Sequence, residues 1–341
     1  MSNNKKLTLW LSLVIVLIVL MVSLGGITRL TQSGLSMVEW KPVTGIIPPT
    51  SEASWMLEFE KYQSSPEFKK INTDMSLEGF KQIYFWEFFH RLFGRLIGLV
   101  YFLPFLFFIF RGYFKENKSM QLKLWGGFLL GGAQGGVGWF MVKSGLVNAP
   151  HVSHYRLAAH LMLAFFIIAY LLWQILEINK DKLKPQNLKL TSWQKKMPQI
   201  VLLFLAFQIF YGALTAGLKA GYAYNTYPKM SGLWIPKEIY NLGINISAFF
   251  ETAAGVQWTH RHFAVFVLIL AIINAILSLT TSSKLIKTVA TALLVTVVIQ
   301  FILGILTLVM HVPIPIAVTH QVMAIILLSL TVAQIKISKL S

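Results

Sequence analysis

The sequence predicts an all-α integral membrane protein of eight transmembrane helices, and three observations lead there. Of the 341 residues, 55% are hydrophobic and 13% charged, a balance too apolar for a soluble globular chain. Apolar runs of about 20 residues, long enough to cross a bilayer as helices, recur eight times. Basic residues collect after every second run, which is how multi-pass chains fix their orientation.

The first run centres near Leu17. It is too long for a signal peptide and lacks a small-residue cleavage site, so it reads as a retained anchor behind Lys5 and Lys6. The segment from 28 to 82 follows, with seven of the thirteen acidic residues. The second run centres near Leu99 and leads into Arg111, Lys115, Lys118 and Lys123. The third, near Gly131, contains "GGFLLGGAQGGVG", which suits close helix packing or room for a bulky planar ligand. The fourth, near Phe166, precedes Lys180, Lys182, Lys184, Lys189, Lys195 and Lys196. The fifth centres near Leu205, and a second long outer segment covers 219–252. Runs near Leu268, Val295 and Ile326 complete the series, with Lys284 and Lys287 after the sixth and Lys336 and Lys339 after the eighth.

Alternating spans place all these cations on one side, so both termini are expected in the cytoplasm. The net charge of +17 then reports topology and membrane-lipid contact, not nucleic-acid binding. Lack of a transit peptide favours a bacterial inner membrane over a mitochondrial one. The chain has no cysteine, which excludes disulfides, Cys-ligated clusters, thiolate haem ligation and c-type haem attachment. Trp40 and Trp55 read as interface anchors, and His151, His154 and His311 as loop residues.

A weak internal repeat divides the chain into halves, 1–180 and 181–341. "GGITRLTQSGL" at Gly25 resembles "GALTAGLKAGY" at Gly212. "WEFFHR" resembles "VQWTHR", which aligns Glu87 with Gln257, His90 with His260 and Arg91 with Arg261. Gln134 and Gly138 match Gln300 and Gly304. "HVSHYRLAAH" matches "HVPIPIAVTH" in spacing, pairing His160 with His320. With four spans per half the two halves share one orientation, so they form two pseudo-symmetric four-helix bundles related as a parallel repeat. His262 aligns with Leu92 and has no counterpart.

His90, His160, His260 and His320 each lie near the outer end of an even-numbered span. Each half therefore presents two imidazoles at similar depth on parallel helices. Simple helix–helix hydrogen bonding is the bland explanation; duplication at matched depth favours ligation. A di-iron site would use Glu87-x-x-His90, but needs about four carboxylates in the bundle, and Glu87 is the only one well inside a span. Zinc or copper lacks further ligands at that depth. Bis-histidine haem needs two axial imidazoles and cations for its propionates. Arg91 and Arg261 stand beside their histidines, with Arg29 and Arg156 as further candidates. Two haems, one per half, is the reading these residues support best.

The halves differ at Glu87 and Gln257. Glutamine keeps the shape of glutamate without its charge, so only the N-terminal half has a group that can take a proton or stabilise positive charge. The alternative is that Glu87 simply pairs with Arg91, one turn along the helix.

These residues resemble the haem A synthase family. The likeness covers essentially the whole chain, with "GGITRLTQSGLSMVEWKPVTGIIPP" and "WEFFHRLFGR" as its signatures. It is closest to the proteobacterial and mitochondrial branch, which lacks the outer-loop cysteine pair of another branch. The resemblance implies substrate haem O on His90 and His160, haem b on His260 and His320, and Glu87 as the catalytic carboxylate. The implied reaction oxidises the C8 methyl of haem O to the formyl of haem A by successive hydroxylation with water-derived oxygen. Expected partners are a haem O synthase, cytochrome oxidase assembly factors, an electron acceptor and a further copy in a homo-oligomer. A di-haem cytochrome b linked to quinol explains the histidines but leaves Glu87 unused, and a transporter suits the parallel repeat.

Overall fold

The computed structural model describes residues 3–41, 44–147, 149–185, 188–241 and 245–341. Among these the chain is helical, with one isolated bridge between Met230 and Leu233. The long helices are α1 (Asn3–Leu30), α2 (Leu77–Phe110), α3 (Lys118–Lys143), α4 (His154–Ile178), α5 (Ser192–Gly217), α6 (Ala253–Leu279), α7 (Lys284–Val309) and α8 (Ile314–Lys339).

Local chemistry sets their starts. Ser76, Asn117, Thr252 and Ser283 each accept from a backbone N–H of the first turn of α2, α3, α6 and α7. Thr191 and Gln194 form a capping box at α5, and Pro313 precedes α8. Such caps satisfy N–H groups that the helix leaves unpaired.

Seven of the eight helices are long and apolar enough to cross a membrane, so the chain is a multi-pass membrane protein. Their mean hydropathy runs from 2.0 to 2.8. The exception is α3, which has 26 residues like its neighbours but whose glycines and Gln134 hold its hydropathy lower. Helix α2 has 34 residues, roughly 50 Å at 1.5 Å per residue. That exceeds a hydrocarbon core of about 30 Å, so its first turns belong to the outer segment.

The chain divides into two compact units, 16–164 and 1–15 with 165–341. In the second unit α5 packs on α6, α6 on α7, α7 on α8 and α8 on α5, a closed four-helix ring with α6 and α8 on its diagonal. A buried polar brace joins that diagonal near its basic end. Asn274 Nδ2 donates to Gln334 Oε1 (2.9 Å), and Gln334 Nε2 donates to Ser278 Oγ (2.9 Å). At the same end Lys336 pairs with Glu177, and Asn179 Nδ2 donates to Thr8 Oγ1 at 2.9 Å.

In the unit 16–164 an outer cap sits on the start of α2. Its core is Met37, Phe59, Tyr62, Phe80, Tyr84 and Phe88. Tyr62 stacks on Phe80 at 5.2 Å and accepts from Asn72 at 2.7 Å. Trp55 belongs to this core, edge-on to Tyr84 at 5.1 Å, so it does more than mark the interface. Trp40 is half-exposed and lies 5.6 Å from Trp139.

Candidate functional site

Glu87 is 3% exposed and holds the outer segment to α2. Its Oε2 accepts from Ser36 Oγ and from Met37 N, both at 2.7 Å, and its Oε1 accepts from Arg91 at 2.5 Å. Arg91 also donates to the carbonyls of Met37 and Glu39, each at 2.8 Å. One turn on, Arg95 donates to the Lys41 carbonyl at 2.6 Å. Arg91 and Arg95 line a cleft of about 260 Å³ with Met37, Glu39 and Lys41.

The same device recurs in the other unit with opposite polarity. Arg261 donates to the carbonyls of Thr226 (2.6 Å) and Tyr224 (2.5 Å), and to Gln257 Oε1 at 3.1 Å. Gln257 Nε2 in turn donates to the Ala220 carbonyl at 2.8 Å. The outer segment offers donors, Ser36 O–H and Met37 N–H, to position 87, but an acceptor to position 257. A carboxylate only accepts, whereas a carboxamide also donates. Local hydrogen bonding therefore dictates Glu at one position and Gln at the other. Glu87 does pair with Arg91, and it does so as one of three bonds.

All four candidate histidines are half-buried, and each packs against a glycine of the preceding long helix. A Cβ on Gly138 would stand 2.9 Å from His160 Cε1; on Gly212, 3.0 Å from His260 Cε1; on Gly304, 3.0 Å from His320 Cε1. On Gly25 it would stand 3.3 Å from His90 Nε2. Any larger residue would push the ring aside. His260 and His320 stand about two turns into the diagonal helices α6 and α8, which run in the same direction, so their depths match.

Three glutamines accompany these rings. Gln134 Nε2 lies 3.3 Å from His160 Nδ1 and donates to the His160 carbonyl at 3.0 Å. Gln208 Nε2 lies 3.1 Å from His260 Nδ1 and donates to the His260 carbonyl at 3.0 Å. Gln300 Nε2 lies 3.4 Å from His320 Nε2. Gln134 and Gln300 match in the internal repeat, whereas Gln208 has no glutamine partner there. Its signal was available: glutamine stands four residues before the ring-contacting glycine in all three helices.

The remaining candidates are placed as follows. Arg29 is in the last turn of α1. Arg156 donates to the Phe140 carbonyl at 2.8 Å and lies over the Phe140 ring. His262 is bonded through Nδ1 to the Trp258 carbonyl at 2.8 Å, a satisfied helix residue. His154 begins α4 against Tyr155. His311 has a left-handed backbone in the turn between α7 and α8, as does Val312.

Over residues 8–332 the chain matches the model of COX15-CtaA, described as cytochrome oxidase assembly protein. The chain belongs to this family. Relatives include the "Heme A synthase" of Wolbachia pipientis wMel, 45% identical over 95% of this chain and 90% of the relative. The one from Nitrosospira multiformis is 43% identical over 95% of this chain and 91% of the relative. That of Flavobacterium psychrophilum is 42% identical over 97% of each.

A haem, the group this family's relatives are named for, fits the residues present. Among the described residues no cluster of three or more metal-ligating side chains forms, whereas bis-histidine haem needs only two. Gly131, Gly132, Gly135 and Gly136 of α3 face open space, with nothing within 4 Å of a built Cβ. The carboxamide oxygens of Gln134, Gln208 and Gln300 are buried without partners. These glutamines present Nε2 to the rings, so an imidazole that binds iron through one nitrogen and carries its proton on the other would need the carboxamide to turn its oxygen toward the ring.

Proposed function

We propose that this chain is a haem A synthase, oxidising the C8 methyl of haem O to the formyl of haem A during cytochrome oxidase assembly. The observation that carries this reading is the buried Glu87 carboxylate one turn from His90, in a chain with four glycine-packed imidazoles that is 42–45% identical to relatives so named. His90 and His160 hold the substrate haem O, and His260 and His320 hold haem b. When bound, haem b supplies one-electron redox capacity.

Each hydroxylation converts C–H and water into C–OH and two protons, with the two electrons passed to an external electron acceptor that is reduced in turn. Two rounds give a geminal diol, which loses water to leave the formyl group. Glu87 has about four acceptor sites as a carboxylate, and three are filled by Ser36, Met37 and Arg91. The remaining site takes a methyl-derived proton or stabilises positive charge developing next to the ring. Arg91 and Ser36 fix the carboxylate's orientation.

The halves are residues 1–180 and 181–341, with α3 as the eighth span and both termini on the cytoplasmic side of a bacterial inner membrane. Arg261 Nε, buried and unpartnered, is the donor left for a haem b propionate. Arg29 and Arg156 serve the substrate side. A haem O synthase supplies the substrate. The test is co-expression with a haem O source, followed by mass analysis of extracted haems. Haem A in the wild type, and haem O accumulating in Glu87→Gln, is the expected result. Haem b alone in both proteins would overturn the reading in favour of an electron-transfer cytochrome.

A further inference from the structure

In the segment 219–252 three consecutive large apolar side chains stand open. Leu233, Trp234 and Ile235 are 42%, 58% and 43% exposed, a run that a water-facing loop avoids. A tight turn presents them. Met230 and Leu233 exchange backbone hydrogen bonds of 2.8 and 3.1 Å, and Ser231 and Gly232 between them have left-handed backbones (φ 49° and 85°). Positive φ at both central positions suits a two-residue hairpin. Thr226 braces it: its Oγ1 donates to the Lys229 carbonyl at 2.7 Å and accepts from Ser231 N at 2.8 Å.

Helix α6 sets the hairpin's depth. Trp258 Nε1 donates to the Trp234 carbonyl at 3.0 Å, so the hairpin lies level with Trp258. A hydrocarbon core of about 30 Å takes roughly 20 residues of helix. Counted back from Leu279, where α6 ends ahead of Lys284, that length reaches the neighbourhood of His260. Trp258 and the hairpin therefore stand where hydrocarbon gives way to headgroups. Below Trp258 on the same face of α6, at helical spacing, Val265, Phe266 and Ile269 are 40%, 43% and 47% exposed, as lipid-facing residues are. Lys229 Nζ lies 5.7 Å from the Trp234 ring, and an indole beside a cation suits that boundary.

We propose that residues 229–235 dip into the bilayer beside α6, with Leu233, Trp234 and Ile235 against lipid chains and Lys229 on lipid phosphate, so that the membrane clamps the segment from outside. The occupant is lipid because the patch continues the lipid-facing side of α6. What the clamp holds is the stretch that ties the helices together. Tyr224 and Thr226 supply the carbonyls that accept from Arg261, next to His260. Asn225 Nδ2, between them, donates to the Leu308 carbonyl at the end of α7 at 2.8 Å.

The experiment uses full-length protein in phosphatidylcholine nanodiscs. The chain has no cysteine, so Ser231→Cys gives a single nitroxide site at the turn. Oxygen concentrates in hydrocarbon and a neutral nickel chelate in water, and the label should be more accessible to oxygen. The opposite order puts the turn in water and overturns the proposal. A label shielded from both reagents means that protein, such as a second copy of this chain, covers the patch, and overturns it equally. If the labelled protein does not accumulate, Trp234→Phe carries the test: it should remove about one tryptophan's share of the emission that brominated lipid quenches, and no loss of quenched emission overturns the proposal. Trp234→Ser leaves the bond from Trp258 to the carbonyl in place. It should speed exchange of the Ser231 amide about tenfold, and an unchanged rate overturns the clamp.

Discussion

Replacing Glu87 with glutamine tests the outer latch and the chemistry together. Oε2 accepts two donors and Oε1 accepts the guanidinium, but a carboxamide has one oxygen. With that oxygen toward Ser36 and Met37, the amide nitrogen faces Arg91, and a buried charge-assisted bond worth about 1.5–3 kcal/mol is lost. Turned the other way, it faces Met37 N–H, which cannot rotate to accept, at about 1–3 kcal/mol for the unpaired donor. The cheaper orientation costs about 1–3 kcal/mol, roughly 5- to 150-fold in the opening of the segment that starts at Ser36. Hydrogen exchange in nanodiscs should show the Met37 amide exchanging at least about 5-fold faster in Glu87→Gln, with haem content retained and haem A absent. A Met37 amide that exchanges at the wild-type rate would refute this reasoning. Ser36→Ala separates the two roles, because it removes one donor and leaves the carboxylate. It should loosen the segment by about 1 kcal/mol and still yield haem A. If it abolishes haem A as Glu87→Gln does, the reaction needs the latch and not the carboxylate's chemistry.

Gln257→Glu sets a carboxylate oxygen against the Ala220 carbonyl, now 2.8 Å from an amide donor. It should destabilise residues 220–226 by about 1–3 kcal/mol, and the double swap with Glu87→Gln should not restore haem A; recovery of product would show that the two positions are interchangeable. Gly212→Ala puts a methyl 3.0 Å from His260 Cε1 and should alter the low-spin EPR signal of the C-terminal haem, with helix content unchanged by circular dichroism. An unaltered signal would mean that this glycine does not set the ring's position. Lys41 and then Lys61 hold the Glu39 carboxyl below its ordinary 4.5. A lowered carboxylate stabilises the fold above that value and loses its effect as pH falls through its folded value. The pair is half-exposed, so the effect is under about 1 kcal/mol. Proteolysis of the 39–61 segment should stay flat from pH 7 to 5 and rise only below about 4.5; a rise at pH 6 would point to another group.

Much of the fold was legible because a bilayer leaves few choices. With no water to satisfy backbone groups, long apolar runs must become helices, and every run read from the sequence is one. The third reads as a span like the others, but its seven glycines make a helix of spanning length that is not among the seven apolar enough to cross a membrane. The outer cap was less legible. Tyr62, Phe80 and Tyr84 are far apart in sequence or adjacent to a span, and nothing in their spacing says that Trp55 packs among them. At the site, His90, His160, His260 and His320 stood out because a duplicated polar residue in an apolar run is conspicuous. Gln208 did not, because its repeat partner is Met21, and the exception hid the rule.

The sequence by itself determined the helices, the placement of lysines at alternate helix ends, the four imidazoles and the unlike pair at 87 and 257. Each of these is a matter of composition along one strand of chain, where hydropathy and charge act locally. Only the tertiary structure decided why that pair is unlike, because the deciding groups are Ser36 O–H and Met37 N–H on one side and the Ala220 carbonyl on the other. Those groups come from segments more than 30 residues distant. Whether a loop arrives with donors or with acceptors depends on its path in space, and a sequence does not state that path.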